Sequence, residues 1–241
     1  MDFSKYDTRH YPTLPVREGY AEWAGTYEDT VLDLMDLRLL ARLRSVEWTG
    51  VRHAVDLACG TGHIGVWLRR SGVAHLHGVD FTEAMLQGAR AKGVYDSLIL
   101  ADVAATGLEG GAFDLATMVL ADEHLAELQP VYREAARLLA PLGRFVLVGY
   151  HPFFLVMGIP THFDRASGDP VAIESHVHLT SDHVAAGLGA GLRLVEMIEG
   201  VVDDAWLAAK PQWRKHAHRP VSFALVWAKD QAATSVSTSR A

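Results

Sequence analysis

Cysteine is nearly absent from this 241-residue sequence, which contains one, Cys59. A single thiol cannot form a disulfide within the chain, so nothing indicates an oxidising compartment, and we expect a cytoplasmic protein. The first residues have neither a basic start nor an apolar core, so we expect no signal peptide. The most apolar stretch, 145–159, is interrupted by His151 and Pro152 and is too short to span a bilayer, so we expect no membrane association.

Lysine and arginine are also fewer than the acidic residues. The chain has 22 lysines and arginines against 29 acidic residues, a net charge of −7, which argues against binding to nucleic-acid phosphates. An apolar content of 49% suits a single domain over residues 1–230, followed by a small polar tail, 231–241, that we expect to be disordered. Internal repeats are absent, and the sequence leaves the oligomeric state open, a homodimer included.

The chain is organised around residues 55–65, VDLACGTGHIG, which read as a buried strand, a glycine turn and the start of a helix. Gly60, Gly62 and Gly65 fit the spacing G-x-G-x-x-G, a weak signal on its own. Gly60 and Gly62 lack the Cβ that keeps backbone N–H groups from a ligand, and Gly65 allows the helix to pack closely on the strand. The stretch therefore predicts a site for a nucleotide-like cofactor.

Three carboxylates follow the predicted strands. Asp56 lies near the end of the first strand, Asp80 ends the next apolar run, and Asp102 ends the third. Because parallel strands end at the same edge of a sheet, and open α/β sheets bind ligands there, we expect these acids to surround one site.

The rest of the pattern alternates between helices and strands, which predicts a doubly wound parallel sheet. The predicted elements are a helix over 63–70, strands over 75–81, 97–103, 113–120 and 144–150, and helices over 82–92 and 124–140. Two later strands, 193–202 and 221–229, follow a short helix over 182–190.

Two regions outside this alternation are predicted to cover the site. Residues 1–48 combine an extended arm, 1–16, with a helical stretch, 17–44, whose apolar stripe includes Val31. Residues 151–181 carry three prolines and are expected to form a long irregular insertion that covers the substrate.

Five motifs in chain order resemble those of the class I S-adenosylmethionine-dependent methyltransferases. They are VDLACGTGHIG, GVDFTEAML, LADV, FDLATMVLADEHL and RLLAPLGRFVLVGY, and they cover roughly residues 50 to 150. The resemblance implies a Rossmann-like sheet of seven strands with a late antiparallel strand, and S-adenosylmethionine as cofactor, with S-adenosylhomocysteine as product. Ala58 departs from the family pattern, where glycine is more usual.

Asp80 is expected to accept hydrogen bonds from both ribose hydroxyls, since a carboxylate can accept two bonds from a vicinal diol. The alternative is an acid that stabilises a helix N-terminus. The resemblance implies that Phe81 lies against the adenine, that Asp102 and Val103 read its edge, and that Asp56 orders the methionyl amino group. The alternative for Asp102 is a capping role. The full set of expected cofactor residues is Tyr20, Asp56, Ala58, Gly60, Gly62, Asp80, Phe81, Met85, Asp102, Val103 and Leu120.

His124 is the leading candidate to accept or orient a proton, with Glu174 and Tyr20 as further catalytic candidates. Their alternatives are an exposed helix-start histidine, a solvent-facing carboxylate and a core tyrosine. Expected substrate contacts are the aromatic and histidine side chains of the two covering regions: Tyr11, Trp23, Tyr27, His151, Phe154, His162, Phe163 and His176.

Thirteen histidines raise the question of a metal. The pairs His176-x-His178 and His216-x-His218 have no acidic residue at a convincing ligand spacing, so we predict no metal site. Cys59, inside the glycine turn, is interpreted as a small buried spacer and not as a nucleophile.

The sequence of the insertion and of the segments after it points to a narrower group within this family. GYHPFFLVMGIPTHF, VAIESHVHLTSDHV and RPVSFALVWAKD are similar to bacterial natural-product enzymes that methylate an indole carbon, which implies C3 of a tryptophan-derived compound such as a cyclic dipeptide. An O- or N-methyltransferase for another small aromatic acceptor needs similar residues and stays open. From other classes, a nicotinamide dehydrogenase and a non-catalytic cofactor-binding protein also remain alternatives.

Overall fold

The computed structural model describes residues 1–30 and 34–231. Val31 of the predicted apolar stripe, and residues 232–241 of the predicted disordered tail, lie outside the described residues.

A seven-stranded sheet forms the centre of the described chain, with strand order β4-β3-β2-β5-β6-β10-β9. Strand β10 runs antiparallel to both of its neighbours, and β2 to β6 are parallel, so the predicted sheet with a late antiparallel strand is confirmed. The strands are β1 Thr13–Leu14, β2 His53–Leu57, β3 His75–Asp80, β4 Ser97–Leu100, β5 Phe113–Val119, β6 Leu139–Tyr150, β7 His162–Asp164, β8 Pro170–Ile173, β9 Leu192–Val201 and β10 Pro220–Lys229.

The helices flank this sheet. They are α1 Val16–Trp23, α2 Tyr27–Thr30, α3 Leu37–Leu40, α4 His63–Arg70, α5 Glu83–Lys92, α6 Gln129–Leu138, α7 Pro152–Val156, α8 Thr180–Gly189 and α9 Asp204–Ala209. The predicted helical stretch over 17–44 is broken into short pieces, and the helix predicted from His124 begins only at Gln129. Residues 122–124 form a separate 3₁₀ turn, which places His124 outside the helix. No described helix is long and apolar enough to cross a membrane.

Both faces of the sheet are buried, as a parallel sheet requires. Val55 and Trp227 pack with α6 and α8 on one face. Leu40 of α3 and Leu68 of α4 pack with Val146 on the other. Alternating side chains of the strands supply both layers, so the carboxyl ends of the strands are held rigidly at one edge.

The covering regions form a second, three-stranded sheet, so the prediction of an irregular insertion over 151–181 is wrong. Strand β1 of the arm pairs in parallel with β8, and β7 pairs antiparallel with β8. Phe163, Val171 and Ile173 of this sheet are buried against Trp23 of α1. One of the two partners of β8, strand β1, lies about 160 residues away in sequence, so local patterning does not reveal that pairing.

Candidate active site

The glycine turn between β2 and α4 holds three residues in the left-handed region. Ala58 has φ +54°, Gly60 +54° and Gly62 +87°. Glycine adopts this conformation freely, whereas alanine carries a cost of about 1 kcal/mol or more. The turn therefore brings bare backbone to the sheet edge, with some strain stored at Ala58.

Asp80, at the end of β3, supports this turn. Its Oδ2 accepts the Gly60 N–H at 2.9 Å and its Oδ1 accepts the Thr82 N–H at 2.8 Å. Burial raises the pKa of Asp80 above its usual value, while the backbone N–H donors oppose that rise. Each oxygen keeps a further lone pair, so the carboxylate can still accept hydrogen bonds from a ligand.

A cavity of about 460 Å³ opens beside the turn, and we call it the loop cavity. Leu120, which follows β5, closes one side and itself adopts φ +51°, a strained conformation for a branched residue. The expected site residues that line the loop cavity are Tyr20, Tyr27, Ala58, Gly60, Asp80, Phe81, Met85, Asp102, Val103, Leu120 and His124.

The charges around the loop cavity are of one sign. Among the described residues that line it, Asp36, Asp80, Asp102 and Glu127 are acidic, and lysine and arginine are absent. Such a lining favours a ligand that carries positive charge and disfavours a pyrophosphate. The side chain of Asp102 is exposed and its Oδ1 also accepts the Ala104 N–H at 2.8 Å, so its capping role is present alongside its place in the wall.

Two expected cofactor residues do not reach the loop cavity. Asp56 is buried beneath the turn, where its two oxygens accept hydrogen bonds from Tyr95 and Thr117, both at 2.7 Å. Asp56 is therefore not placed for a direct contact with the methionyl amino group, and the expected contact through water stays a prediction. Gly62 faces Tyr95 and Ala89, so its role lies in packing α4 against α5.

Tyr20 and His124 meet at the wall of the loop cavity. The Tyr20 hydroxyl lies 2.8 Å from His124 Nε2, and His124 Nδ1 lies 2.7 Å from the carbonyl oxygen of Glu174. A carbonyl only accepts, so Nδ1 carries the proton and Nε2 of the neutral ring accepts from Tyr20. Burial lowers the pKa of His124 to about 4, which keeps this ring neutral near pH 7.

The structure gives no support to the catalytic role expected of the Glu174 side chain. That carboxylate is 56% exposed and lines neither this cavity nor the second one described below. What Glu174 supplies is its backbone carbonyl, which fixes the tautomer and orientation of His124.

A second cavity, of about 260 Å³, lies beyond Leu120, and we call it the tryptophan cavity. Trp23, which is stacked on Tyr20 at a ring separation of 5.9 Å, lines it together with Phe154 and His162. Leu120 lines both cavities, so the two spaces are neighbours. The other described residues that line the tryptophan cavity are Thr30, Leu34, Met35, Tyr150, Leu155, Ile159, Pro160, Thr161, Trp206, Lys210 and Trp213.

Four expected substrate contacts lie outside both cavities. His151 caps α7, since its Nδ1 accepts the Phe153 N–H at 3.1 Å, and its Nε2 lies 3.1 Å from Glu199. Phe163 is stacked on Trp23 from behind. Tyr11 and His176 do not line either space, although the Tyr11 ring contacts the ring of His162 at 5.4 Å.

Sequence reasoning missed Glu123, which is 1% exposed and lies 3.4 Å from His124 Nε2. Burial, and then the charge of Asp122, raise its pKa well above the usual value, so it is protonated near neutral pH. Its Oε1 accepts from Thr161, while Oε2 has no hydrogen-bond partner among the described residues. The motif ADEHL contained a signal for it, because an acid next to the leading histidine candidate is costly to bury without a role.

Most residues that line the loop cavity lie in a segment that matches a known domain type. A family model described as a methyltransferase domain matches residues 55–147, from β2 into β6. The crystal structure of an S-adenosylmethionine-dependent methyltransferase from Mesorhizobium loti has a TM-score of 0.66 and 25% identity to this chain, covering 83% of it and 99% of the other. Residues 55–147 therefore match a methyltransferase domain, and the fold of the chain is that of S-adenosylmethionine-dependent methyltransferases. Its cofactor is S-adenosylmethionine.

Curated relatives match part of this chain. A demethylmenaquinone methyltransferase from Thermus thermophilus is 34% identical over 106 residues, 42% of this chain and 48% of that protein. A malonyl-[acyl-carrier protein] O-methyltransferase from Halorhodospira halophila is 29% identical over 174 residues, 69% of this chain and 56% of that protein. The match thus spans about half the length of these relatives.

The loop cavity fits the family's cofactor on chemical grounds. The sulfonium and ammonium groups of S-adenosylmethionine are cations, and the described lining is acidic. Asp80 offers free lone pairs to hydroxyl donors, and Phe81 and Met85 offer an apolar surface for a flat base. These residues would hold the cofactor, which brings an electrophilic methyl group to the site.

Proposed function

We propose that this protein transfers the methyl group of S-adenosylmethionine to a small aromatic molecule, and that Tyr20 and His124 accept the proton that the acceptor loses. The observation that carries this proposal is the hydrogen bond from Tyr20 to His124 Nε2 at the wall of the loop cavity. The net charge of −7 supports a small-molecule acceptor over a nucleic acid.

Tyr20 and His124 can pass a proton along an existing hydrogen bond. An acceptor group that becomes acidic as it attacks the methyl group donates to the Tyr20 oxygen, and the Tyr20 proton passes to His124 Nε2. Burial holds the pKa of Tyr20 well above 10, so Tyr20 is neutral before the transfer. The carbonyl of Glu174 holds the imidazole in place and stabilises the imidazolium that results.

The tryptophan cavity supports the choice of acceptor, because the names of the curated relatives point to different acceptors, demethylmenaquinone and malonyl-[acyl-carrier protein]. Flat aromatic walls suit an aromatic ring, and the neighbouring Tyr20 and His124 suit one that must lose a proton. We propose an indole as acceptor, methylated at C3 in a tryptophan-derived natural product such as a cyclic dipeptide. Removing the indole N–H proton raises the electron density at C3.

The test is incubation of the purified protein with methyl-labelled S-adenosylmethionine and a panel of indoles, tryptophan-containing cyclic dipeptides, phenols and amines, read by mass spectrometry and NMR. Label on an indole carbon supports the full proposal. Label on oxygen or nitrogen supports methyl transfer and overturns the indole assignment. Binding of the cofactor with no labelled product from any acceptor would favour a non-catalytic family member.

A further inference from the structure

The tryptophan cavity has the opposite charge character to the loop cavity. Among the described residues that line it, Lys210 is the one that carries a full charge, and aspartate and glutamate are absent. The two cavities share Leu120, so an acidic space and a basic aromatic space adjoin. A positively charged cofactor and a negatively charged acceptor would be sorted between them.

Lys210 has no counter-ion among the described residues. Its Nζ makes neither a salt bridge nor a hydrogen bond with them, and it lies over the ring of Trp213, with the centroid 5.8 Å away. Burial alone lowers its pKa below the usual value. An ammonium in partly apolar surroundings is stabilised when an anion binds to it.

A second donor in the same lining is also unsatisfied. Trp206 is 2% exposed, and its indole N–H has no hydrogen-bond partner among the described residues. Buried N–H groups in proteins are nearly always paired, so the exceptions call for an explanation. Ammonium and indole N–H groups can only donate, so both complement a group that only accepts, such as a carboxylate. The Trp206 nitrogen is covered by other atoms, which makes Lys210 the donor that a ligand in the cavity reaches.

The aromatic side chains form a flat wall beside these donors. Tyr150 is stacked on Phe154 with an interplanar angle of 15°, and Phe154 is stacked on Trp213 at 16°. The Trp206 ring contacts Trp213 at a centroid distance of 5.2 Å. Near-parallel rings of this kind extend their stacking to a planar ligand.

We propose that the tryptophan cavity binds the acceptor as an aromatic carboxylate, with its ring against Phe154 and Trp213 and its carboxylate on Lys210. This proposal rests on the proposed function, because the bound molecule is taken to be the methyl acceptor. It narrows the acceptor to an aromatic acid, so a cyclic dipeptide qualifies only if one of its side chains carries a carboxylate. The carboxylate anchors the molecule and the ring presents the atom to be methylated.

The experiment compares acids with their uncharged amides. The full-length protein, saturated with S-adenosylhomocysteine, is titrated calorimetrically with indole-3-acetate and indole-3-acetamide, and with benzoate and benzamide. One charge-assisted hydrogen bond predicts that at least one acid binds about tenfold or more tightly than its amide. Lys210→Met should bring the acid and amide constants together, and Lys210→Arg should keep the preference.

Lys215→Met is the matched control, since Lys215 is an exposed lysine five residues further along the same segment. It should retain the wild-type preference. Equal affinity for acid and amide in every pair, no measurable binding of any probe, or a preference that survives in Lys210→Met would overturn the proposal.

The titration with S-adenosylhomocysteine separates the two proposals. If it binds and the acids show no Lys210-dependent preference, the acceptor assignment is wrong and the cofactor site stands. If it does not bind, while an acid is still preferred in the wild type and not in Lys210→Met, the proposed function fails and the anion site remains.

Discussion

The phenolic oxygen of Tyr20 lies 2.8 Å from His124 Nε2, although the two residues are 104 positions apart in the chain. Tyr20 belongs to α1 and His124 to the turn after β5. The pair therefore exists only while α1 packs at this edge of the sheet.

His124→Gln should reduce kcat by about 100-fold or more, because an amide cannot take up a proton while it keeps a similar shape. Cofactor affinity should change little, since Gln still fills the same wall. Steady-state kinetics and calorimetry with S-adenosylhomocysteine check the two effects separately. A wild-type kcat in this variant would remove His124 from the mechanism.

Glu174→Ala should have a kcat within a factor of about 2 of the wild type, because His124 bonds to the backbone carbonyl of Glu174 and not to its exposed side chain. The assay is the same steady-state measurement. A loss comparable to that of His124→Gln would restore a catalytic role to the carboxylate.

The pH dependence of kcat should reflect a histidine with a lowered pKa. Because burial brings the pKa of His124 to about 4, the neutral form persists as the pH falls from 8 to about 5.5. The expected kcat is therefore flat across that range, with circular dichroism as the check that the protein stays folded. A decline with a midpoint near 6.5, the value for an unperturbed histidine, would contradict this.

Glu123→Gln should alter the pH dependence of stability. A carboxyl whose pKa is raised on folding stabilises the native state at low pH, and this contribution is lost as the pH rises from about 5 toward about 8. Gln stays neutral, so its unfolding free energy relative to the wild type should increase by about 1 kcal/mol per pH unit across that window. Urea unfolding at several pH values measures this, and parallel curves would show that Glu123 is not protonated in the folded state.

Gly65→Ala should destabilise the protein by about 2–4 kcal/mol. A Cβ at this position would lie 2.3 Å from Tyr95, whose hydroxyl donates to buried Asp56. Gly25→Ala is the control, because a Cβ there meets nothing within 4 Å, and its effect should stay within about 0.5 kcal/mol. Equal unfolding midpoints for the two variants would rule out the close approach.

Local sequence information was sufficient where the chain forms the site from consecutive residues. The strand, turn and helix around Gly60, and Asp80 at the end of the next strand, follow from spacing and period. Local sequence information was insufficient where a hydrogen-bond partner is distant in the sequence. Asp56 accepts hydrogen bonds from Tyr95 and Thr117, which lie 39 and 61 residues away.

The tryptophan cavity illustrates a second limit. Trp206, Lys210 and Trp213 lie in a short helix and a 3₁₀ turn without a recognisable motif, and only the packing of α7 and β10 brings them beside Trp23 and Tyr150. Periodicity cannot reveal that arrangement. The sequence likewise does not tell whether Glu174 contacts His124 through its side chain or through its backbone carbonyl.

The most direct test of this account is a calorimetric titration of the wild-type protein and Asp80→Asn with S-adenosylhomocysteine and with NAD. The acidic loop cavity predicts saturable one-to-one binding of S-adenosylhomocysteine, no binding of NAD, and an affinity about tenfold or more weaker in Asp80→Asn, which loses an ionised acceptor. Absence of binding by S-adenosylhomocysteine, or tighter binding of NAD, would contradict the assignment of the site.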